Sequence, residues 1–382
     1  MTLNYAHISY QKLGKRLGAK FLYYEVFTQP IIVINDVRVA QELLQRRSAI
    51  YSSRPQMTTL SKGIGIDKFF GLMPYGDEWR AQRGMFQQYF GPSHVEQQLE
   101  MHERMLRFVR KGLLPNILTS PQDFIEHLRG CISGFSISIT YGLPVQRQHD
   151  PRVELAGKVF RERDASETSM TALSTFLLSM LKNRDVQREV QRELDSVIGS
   201  EQMPTMSDLP RLPYLSAVIK ETLRWNPVAP LSVPRMTTTE DVYDGYYIPK
   251  GAIVLTNIYA MLHDEDAYPE PEEFKPERFI KNGALRDDVP DPEAIATFGF
   301  GRRICPGPHI ALPFIHLIAA SILSLFDILP EVDADGNPIN VVPKFAPSSV
   351  TSEPFPFPCK IVPRGDRNVK ELLKEYLDNE PI

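Results

Sequence analysis

The run from Ile310 to Leu329 is twenty residues long and carries one full charge, Asp327. A stretch this apolar either crosses a bilayer or forms the central helix of a core, because both settings remove it from water. Pro313 and His316 lie within it and favour the core helix. The residues just before it favour the core as well: Phe298-Gly-Phe-Gly-Arg-Arg-Ile-Cys-Pro-Gly307 is a glycine- and arginine-rich loop that ends on a cysteine. Cys305 therefore sits N-terminal to the predicted helix. There the helix dipole and unpaired backbone N–H groups favour the thiolate, the form that binds metal. Gly301 and Gly307 let the backbone turn tightly and approach a flat ligand. Arg303 is placed to meet an anionic group beside the sulfur. A lone cysteine before a helix is more often just a small buried apolar residue. Read from its residue types, the loop Phe298-x-x-Gly301-x-Arg303-x-Cys305-x-Gly307 is one that would hold a sulfur anion against a large, metal-bearing ligand with negative charge at its edge.

A haem with its propionates has that form, and the bulk properties leave room for it. The chain has 382 residues and a formal charge of -4, enough for a large core and no general affinity for nucleic acid. Its three cysteines, Cys131, Cys305 and Cys359, are far apart and odd in number. They make neither a disulfide framework nor a zinc cluster, and the natural setting is a reducing, cytosol-facing one. The 32 prolines gather after residue 200, where long ordered loops are expected. Met1 to Lys20 is polar and basic, with Lys12, Lys15, Arg16 and Lys20, so neither a signal peptide nor a membrane anchor is expected at this end.

Along the chain, periodicity and caps predict a helix over 8–19, a hairpin from Phe21–Phe27 and Pro30–Ile34, and a helix capped by Asp36 running to Gln45. The loop Ser48 to Pro55 follows. Gly76 opens a helix on which Trp79 and Arg83 share one face; taken alone, a half-buried tryptophan over an exposed arginine is the simpler reading. Further helices are predicted over about 95–114 and 121–141, and from Pro151 to Phe160. Thr171–Lys182 carries Leu173, Phe176, Leu177 and Leu181 on one face. Two more helices run over 185–198 and 213–226. The last holds Glu221-Thr-Leu-Arg224, which by itself reads as a solvent-facing ion pair. Tyr246 to Asn257 reads as a hairpin turning at Lys250-Gly251, and the Pro- and Phe-rich tail through Lys360 as a final hairpin. The fold class is mainly α with small β-sheets.

Four separated motifs together resemble the cytochrome P450 family of haem-thiolate monooxygenases. The cysteine loop is similar to that family's ligand signature, which implies Cys305 as the axial ligand of the haem iron and Phe298, Gly301, Arg303 and Gly307 as cofactor-binding residues. Trp79 and Arg83 match a Trp-x-x-x-Arg pair, and Arg235 a basic position, all three implied to meet haem propionates. Ala165-Ser166-Glu167-Thr168-Ser169 matches the motif of the helix crossing the haem's distal face. That match implies catalytic roles for Glu167 and Thr168, orienting bound dioxygen and a water and passing protons from solvent. Glu221 and Arg224, with Arg278 of Pro276-Glu-Arg-Phe279, resemble a buried Glu-Arg-Arg cluster that holds the proximal loop under the cysteine.

The likeness is closest to fungal microsomal members of secondary metabolism and spans nearly all of residues 1–382 as a single domain. This sequence departs from the pattern in lacking the N-terminal anchor, which implies a cytosolic or peripheral protein where the family is held on the endoplasmic reticulum facing the cytosol. It departs again near 160–164. There the segment from the F and G helices to the early part of the distal helix is missing, roughly 100 residues, the scale of a small domain. A truncated or mis-spliced gene is the expectation, and a second local error is expected at Pro313, which would delete a helical hydrogen bond. The fold is thus that of an incomplete cytochrome P450.

The activity implied is insertion of one oxygen atom of O2 into an apolar small molecule, such as a terpenoid, polyketide or alkaloid. Haem would be the cofactor, and NADPH would supply electrons through a partner cytochrome P450 reductase. The alternative expectation is a truncated, non-catalytic haem-binding remnant; a haem sensor or carrier is a further class, for which no partner domain is visible in the sequence.

Overall fold

The computed structural model describes residues 5–56, 68–91, 95–155, 168–346, 351–377 and 380–382. A small sheet at one side and a helical body at the other meet at the cysteine loop. Helix α1 (Ala6–Leu17) leads into strands β1 (Phe21–Val26) and β2 (Gln29–Ile34), which pair antiparallel from Phe21↔Ile34 to Val26↔Gln29. Their two-residue turn places Phe27 and Thr28 at φ 46° and 68°, the left-handed geometry whose twist suits a tight hairpin. Asp36 then accepts hydrogen bonds from the backbone N–H groups of Arg38 and Val39, starting helix α2 (Val37–Ala40), which continues as a wider turn through Arg46. The residues expected as a loop after it begin with a helical turn, Ser48–Tyr51.

The hairpin expected over 246–257 does not form. Tyr246–Ile248 pairs instead with Asp241–Tyr243, and the chain crosses at Pro249 to Gly251 into a different sheet. Ile253–Thr256 lies parallel to β2, and on its other edge antiparallel to Arg235–Met236, giving a four-stranded sheet. Pro249 has no N–H to offer a continuing ladder. The Ile31–Ile34 edge offers a fully apolar neighbour, with Ile32 and Val254 buried at 1% and 0% exposure. This sheet carries Arg235 to the edge of the site.

In the helical body, Phe124–Tyr141, Thr168–Lys182, Arg184–Ile198, Pro213–Trp225 and Pro308–Leu325 share one core. The sequence predicts one apolar face for the second of these. The structure buries every residue from Met170 to Leu181, on all sides. Its hydroxyls turn back on the helix itself, Thr175 Oγ1 donating to the Thr171 carbonyl at 2.8 Å and Ser179 Oγ to that of Phe176 at 2.8 Å.

Pro308 opens the last of these helices, where its missing N–H costs nothing. Pro313 lies inside it without ending it, and Phe314 through Leu325 are buried except for His316, whose Nδ1 lies 2.8 Å from the Leu312 carbonyl. The apolar run does not stay helical to Leu329. At Phe326 it becomes a strand, Phe326–Leu329, paired with Lys360–Pro363. On that strand's open edge the buried Gln187 amide takes a neighbour's place, accepting from Ile328 N at 3.0 Å and donating to Ile328 O at 3.1 Å. That satisfaction of the edge is why the chain can change to strand inside a dry core. Among the described residues the final hairpin predicted for the tail shows the bridge Phe345 to Pro354, while Lys360 pairs with the Phe326 strand.

Candidate cofactor site

The cysteine loop is shaped by its own backbone. Phe300 leads into a single tight turn, Gly301–Arg303, with Gly299 and Gly301 at φ 79° and 56°. Cys305 N donates to Phe298 O at 2.8 Å and Ile304 N to Gly301 O at 3.0 Å, so the cysteine is presented at the mouth of a closed loop. The loop packs directly on the wide turn after α2. A Cβ on Gly301 would overlap the Leu44 carbonyl oxygen, which is backbone and cannot swing aside. Gly301→Ala is expected to cost about 3 kcal/mol or more, from the left-handed φ and the backbone clash together, read as a lowered urea midpoint. Gly307 differs: its φ is -103° and a Cβ would meet only the Cys305 sulfur, at 3.9 Å. Gly307→Ala is the matched control and stays within about 1 kcal/mol of wild type.

Four arginines surround the loop. Arg303 donates from Nε to Ser52 O and from Nη2 to Met73 O, both at 2.7 Å, and lies over the Trp79 ring with its guanidinium carbon 4.2 Å from the centroid. Trp79 comes from the helix Asp77–Phe90 and stacks in turn on Phe70. Arg83, one turn on, donates to the Ile304 carbonyl at 2.8 Å, so the pair spaced four apart does face the loop, and the tryptophan is buried beneath an arginine rather than half-buried. Arg235 donates from Nη2 to Phe300 O at 2.6 Å. Arg54 donates to the carbonyls of Gly71, Val233 and Pro234. Sequence reasoning missed it as a site residue. The only signal was an arginine between a serine and a proline in the loop expected over Ser48 to Pro55.

Among the described residues none of these four arginines meets a carboxylate. Arg235 Nη1 and Arg303 Nη1 are buried with no hydrogen-bond partner. Burial pushes the Arg235 guanidinium down to about 9 and that of Arg303 to about 10, and in Arg235 the charge of Arg303 adds to the effect. Buried like charges without a counter-ion are strongly unfavourable. They line one cavity of about 520 Å³ together with Trp79, Phe298 and Cys305. The residues present therefore fit a flat, mostly apolar ligand that carries anions at one edge and a metal at its centre, which is what a haem is.

The sulfur corrects one expectation. Gly307 N approaches Cys305 Sγ at 3.4 Å, and Arg83 acts on it electrostatically, yet burial by the surrounding atoms outweighs both and raises the thiol pKa. The residue is open toward the cavity but crowded by protein on its other sides. In the metal-free site burial opposes the helix start at this sulfur; a bound metal ion deprotonates a coordinating thiol.

Opposite the loop, Thr168 begins the helix Thr168–Lys182, exposed and lining the same cavity with Ser169 and Ala172. Ala165, Ser166 and Glu167, and the junction at 160–164, lie outside the described residues. Leu223, Val228, Ile258 and Ile315 complete a largely apolar wall.

The Glu221 cluster is not the solvent-facing pair that i, i+3 spacing alone predicts. Glu221 and Arg224 are both at 0% exposure, with Arg224 Nε donating to Glu221 Oε2 at 2.7 Å and Nη2 to Oε1 at 3.0 Å. Arg278 Nε donates to the same carboxylate at 3.2 Å, as does Lys275 N at 2.7 Å. The remaining bonds of Arg224 and Arg278 go to the carbonyls of Leu262, Pro269, Glu270, Pro271 and Glu273. None reaches residues 298–307. The cluster pins the 262–278 loop, and its hold on the cysteine loop is not direct.

The comparisons agree with this geometry. The Cytochrome P450 family model matches residues 164–350. Cytochrome P450 monooxygenase ple1 of Rhodocybe pseudopiperita is 33% identical, over 96% of this chain and 87% of its own. Cytochrome P450 monooxygenase COX2 of Coprinopsis cinerea is 30% identical, over 96% and 86%. A solved zebra fish cytochrome P450 with progesterone shares the fold, with a TM-score of 0.77 at 20% identity over 94% of this chain and 99% of that one. This chain belongs to the cytochrome P450 family. It is, by that membership, a mainly helical oxygenase that takes haem and dioxygen. The alignment with ple1 runs over 463 positions against the 382 residues here, so part of that relative falls in gaps within this chain.

Proposed function

We propose that this protein inserts one oxygen atom of O2 into an apolar small molecule of fungal secondary metabolism, with NADPH as electron source through a partner reductase. The observation that carries the reading is the cavity that joins Cys305 to three buried arginines and the half-buried Arg83 without a carboxylate among the described residues. In this reading Cys305 Sγ would ligate the haem iron, and Arg83, Arg235 and Arg303, with Trp79 beneath Arg303, would hold the propionates. Phe298 lines the same cavity, and Gly301 lets the loop close on Leu44. When bound, a thiolate-ligated haem supplies cleavage of dioxygen and oxygen transfer. The chain's own part is to bind and orient, to exclude water with Leu223, Val228 and Ile315, and to hold a proton at Thr168 Oγ1, with Glu167 beside it in sequence as the route from solvent.

The alignment with ple1 is longer than this chain, which supports an internal segment missing here; the order of the motifs is what puts it near 160–164. Purified protein is expected to bind haem, and its dithionite-reduced carbon monoxide complex to show the red-shifted Soret band of a thiolate ligand. With reductase and NADPH, label from 18O2 is expected in an apolar substrate. Haem binding without any labelled product, across a terpenoid, polyketide and alkaloid panel, would overturn the catalytic reading and favour a non-catalytic remnant.

A further inference from the structure

Asn226 follows the helix Pro213–Trp225 and is 5% exposed. Its amide uses both N–H groups and accepts at its oxygen. Nδ2 donates to Thr175 Oγ1 at 3.0 Å and to Ser352 O at 2.7 Å, and Oδ1 accepts from Ser352 Oγ at 2.7 Å. Thr175 and Ser352 lie 51 and 126 positions away in sequence, and both are buried. The bonds continue from there: Thr175 Oγ1 donates to Thr171 O at 2.8 Å, and Ser352 N to Val228 O at 2.9 Å. A buried network whose members are all bonded holds them in one arrangement.

Asn226 itself does not line the cavity of Cys305, but two of the segments it joins do. Val228, Ala229 and Val233 form one wall, and Thr168 and Ala172 of the helix Thr168–Lys182 form another. Ala172 stands about one turn before Thr175. The segment 227–234 is neither helix nor strand, and Pro227, Pro230 and Pro234 have no N–H to donate. Its later part is tied at the carbonyls of Pro230, Val233 and Pro234. Among the described residues, the bond from Asn226 to Thr175 is the only hydrogen bond between the helix Thr168–Lys182 and residues 226–234. The apolar contacts between the two walls are non-directional and do not fix a spacing.

We propose that Asn226 is a positioning residue that sets the width of the cavity between the Val228 wall and the Thr168–Lys182 helix, and so selects the apolar molecules that fit there. The inference rests on the haem reading above.

The test uses the haem-loaded protein and imidazoles that bind haem iron through nitrogen, read as a Soret shift. Imidazole reports the iron site; 1-phenylimidazole and the wider 1-(2-naphthyl)imidazole report the space around it. Asn226→Ala removes all three amide bonds. Imidazole affinity stays within about 2-fold of wild type, while affinity for the naphthyl ligand relative to the phenyl ligand rises by about 5- to 10-fold, the range of one hydrogen bond that no longer opposes the wider ligand. Thr175→Val removes only the tie to the helix and shifts the ratio the same way by a smaller factor. Circular dichroism and the carbon monoxide spectrum report whether each variant folds with its haem; if Asn226→Ala does not, the ratio in Thr175→Val carries the test. An equal change for all three ligands would reduce Asn226 to a support of the fold and overturn the inference. So would a naphthyl-to-phenyl ratio that stays level or falls in the folded variants. Either result beside a thiolate-type spectrum in wild type overturns the inference alone, whereas a wild type that takes up no haem overturns it together with the haem reading.

Discussion

Cys305→Ala is expected to abolish the red-shifted Soret band of the carbon monoxide complex and to lower oxygenation by at least roughly 10³-fold, about 4 kcal/mol of barrier. Its effect on folding is small by comparison, because the side chain opens on the cavity and closes no contact of the core. The loop is held instead by Cys305 N on Phe298 O and by Arg83 and Arg235 on the carbonyls of Ile304 and Phe300. Those bonds survive the substitution. The melting midpoint of the apo protein is therefore expected to stay near wild type while the spectrum changes. A thiolate-type band that persists in Cys305→Ala would assign the ligand elsewhere, and only Cys131 and Cys359 remain; both are buried in the helical core, and burial pushes their thiols far up. The raised pKa of the Cys305 thiol gives a second readout. Burial disfavours the charged sulfur, so the apo protein is alkylated by iodoacetamide with a midpoint above that of a free cysteine, and bound haem suppresses the reaction across the same range.

Much of the fold was readable in the sequence where a local device fixes the backbone. Asp36 caps its helix as its side chain allows, and the run from Phe21 to Ile34 folds on itself as a hairpin. What was not readable depends on partners distant in sequence. Tyr246–Ile248 and Ile253–Thr256 look like two arms of one hairpin, yet the second arm pairs with residues 31–34, more than two hundred positions earlier. Nothing in residues 246–257 encodes that edge. The change from helix to strand at Phe326 has the same origin: an uninterrupted apolar run carries no period to separate the two, and the deciding partners are Lys360–Pro363 and the Gln187 amide.

The site divides along the same line. Trp79 and Arg83 could be put on one face because four residues make a helical turn, and the spacing of the cysteine loop is local. The thiolate argument weighed the helix start and not the burial, which pushes the metal-free thiol the other way. Arg54 went unnoticed because only the approach of Gly71, Val233 and Pro234 makes it a buried cation. Arg224 next to Glu221 is indistinguishable, by spacing, from any surface pair; only the convergence of Arg278 from beyond residue 270 reveals a sealed cluster.

That cluster sets the other large effect. Glu221→Gln leaves Arg224 fully buried and Arg278 nearly so, with carbonyls but no anion, and is expected to destabilise the protein by about 3–5 kcal/mol. Urea unfolding of the holoprotein measures it. Because the lost carboxylate also accepts from Lys275 N, the 262–278 loop is expected to open first, and amide exchange across Leu262 to Lys275 should rise ahead of exchange in the Met170–Leu181 helix. If the cost comes from the uncompensated charge, Glu221→Gln combined with Arg224→Met is less destabilised than Glu221→Gln alone, since the double variant leaves only Arg278, which has carbonyl partners at Pro269, Glu270 and Glu273. Additive or worse losses would assign the cost to packing. None of the cluster's bonds touches residues 298–307, so whatever fraction of Glu221→Gln stays folded should keep the thiolate-type spectrum. A folded fraction with an altered Soret position would show that the cluster acts on the cysteine loop after all, through the chain between Arg278 and Phe298.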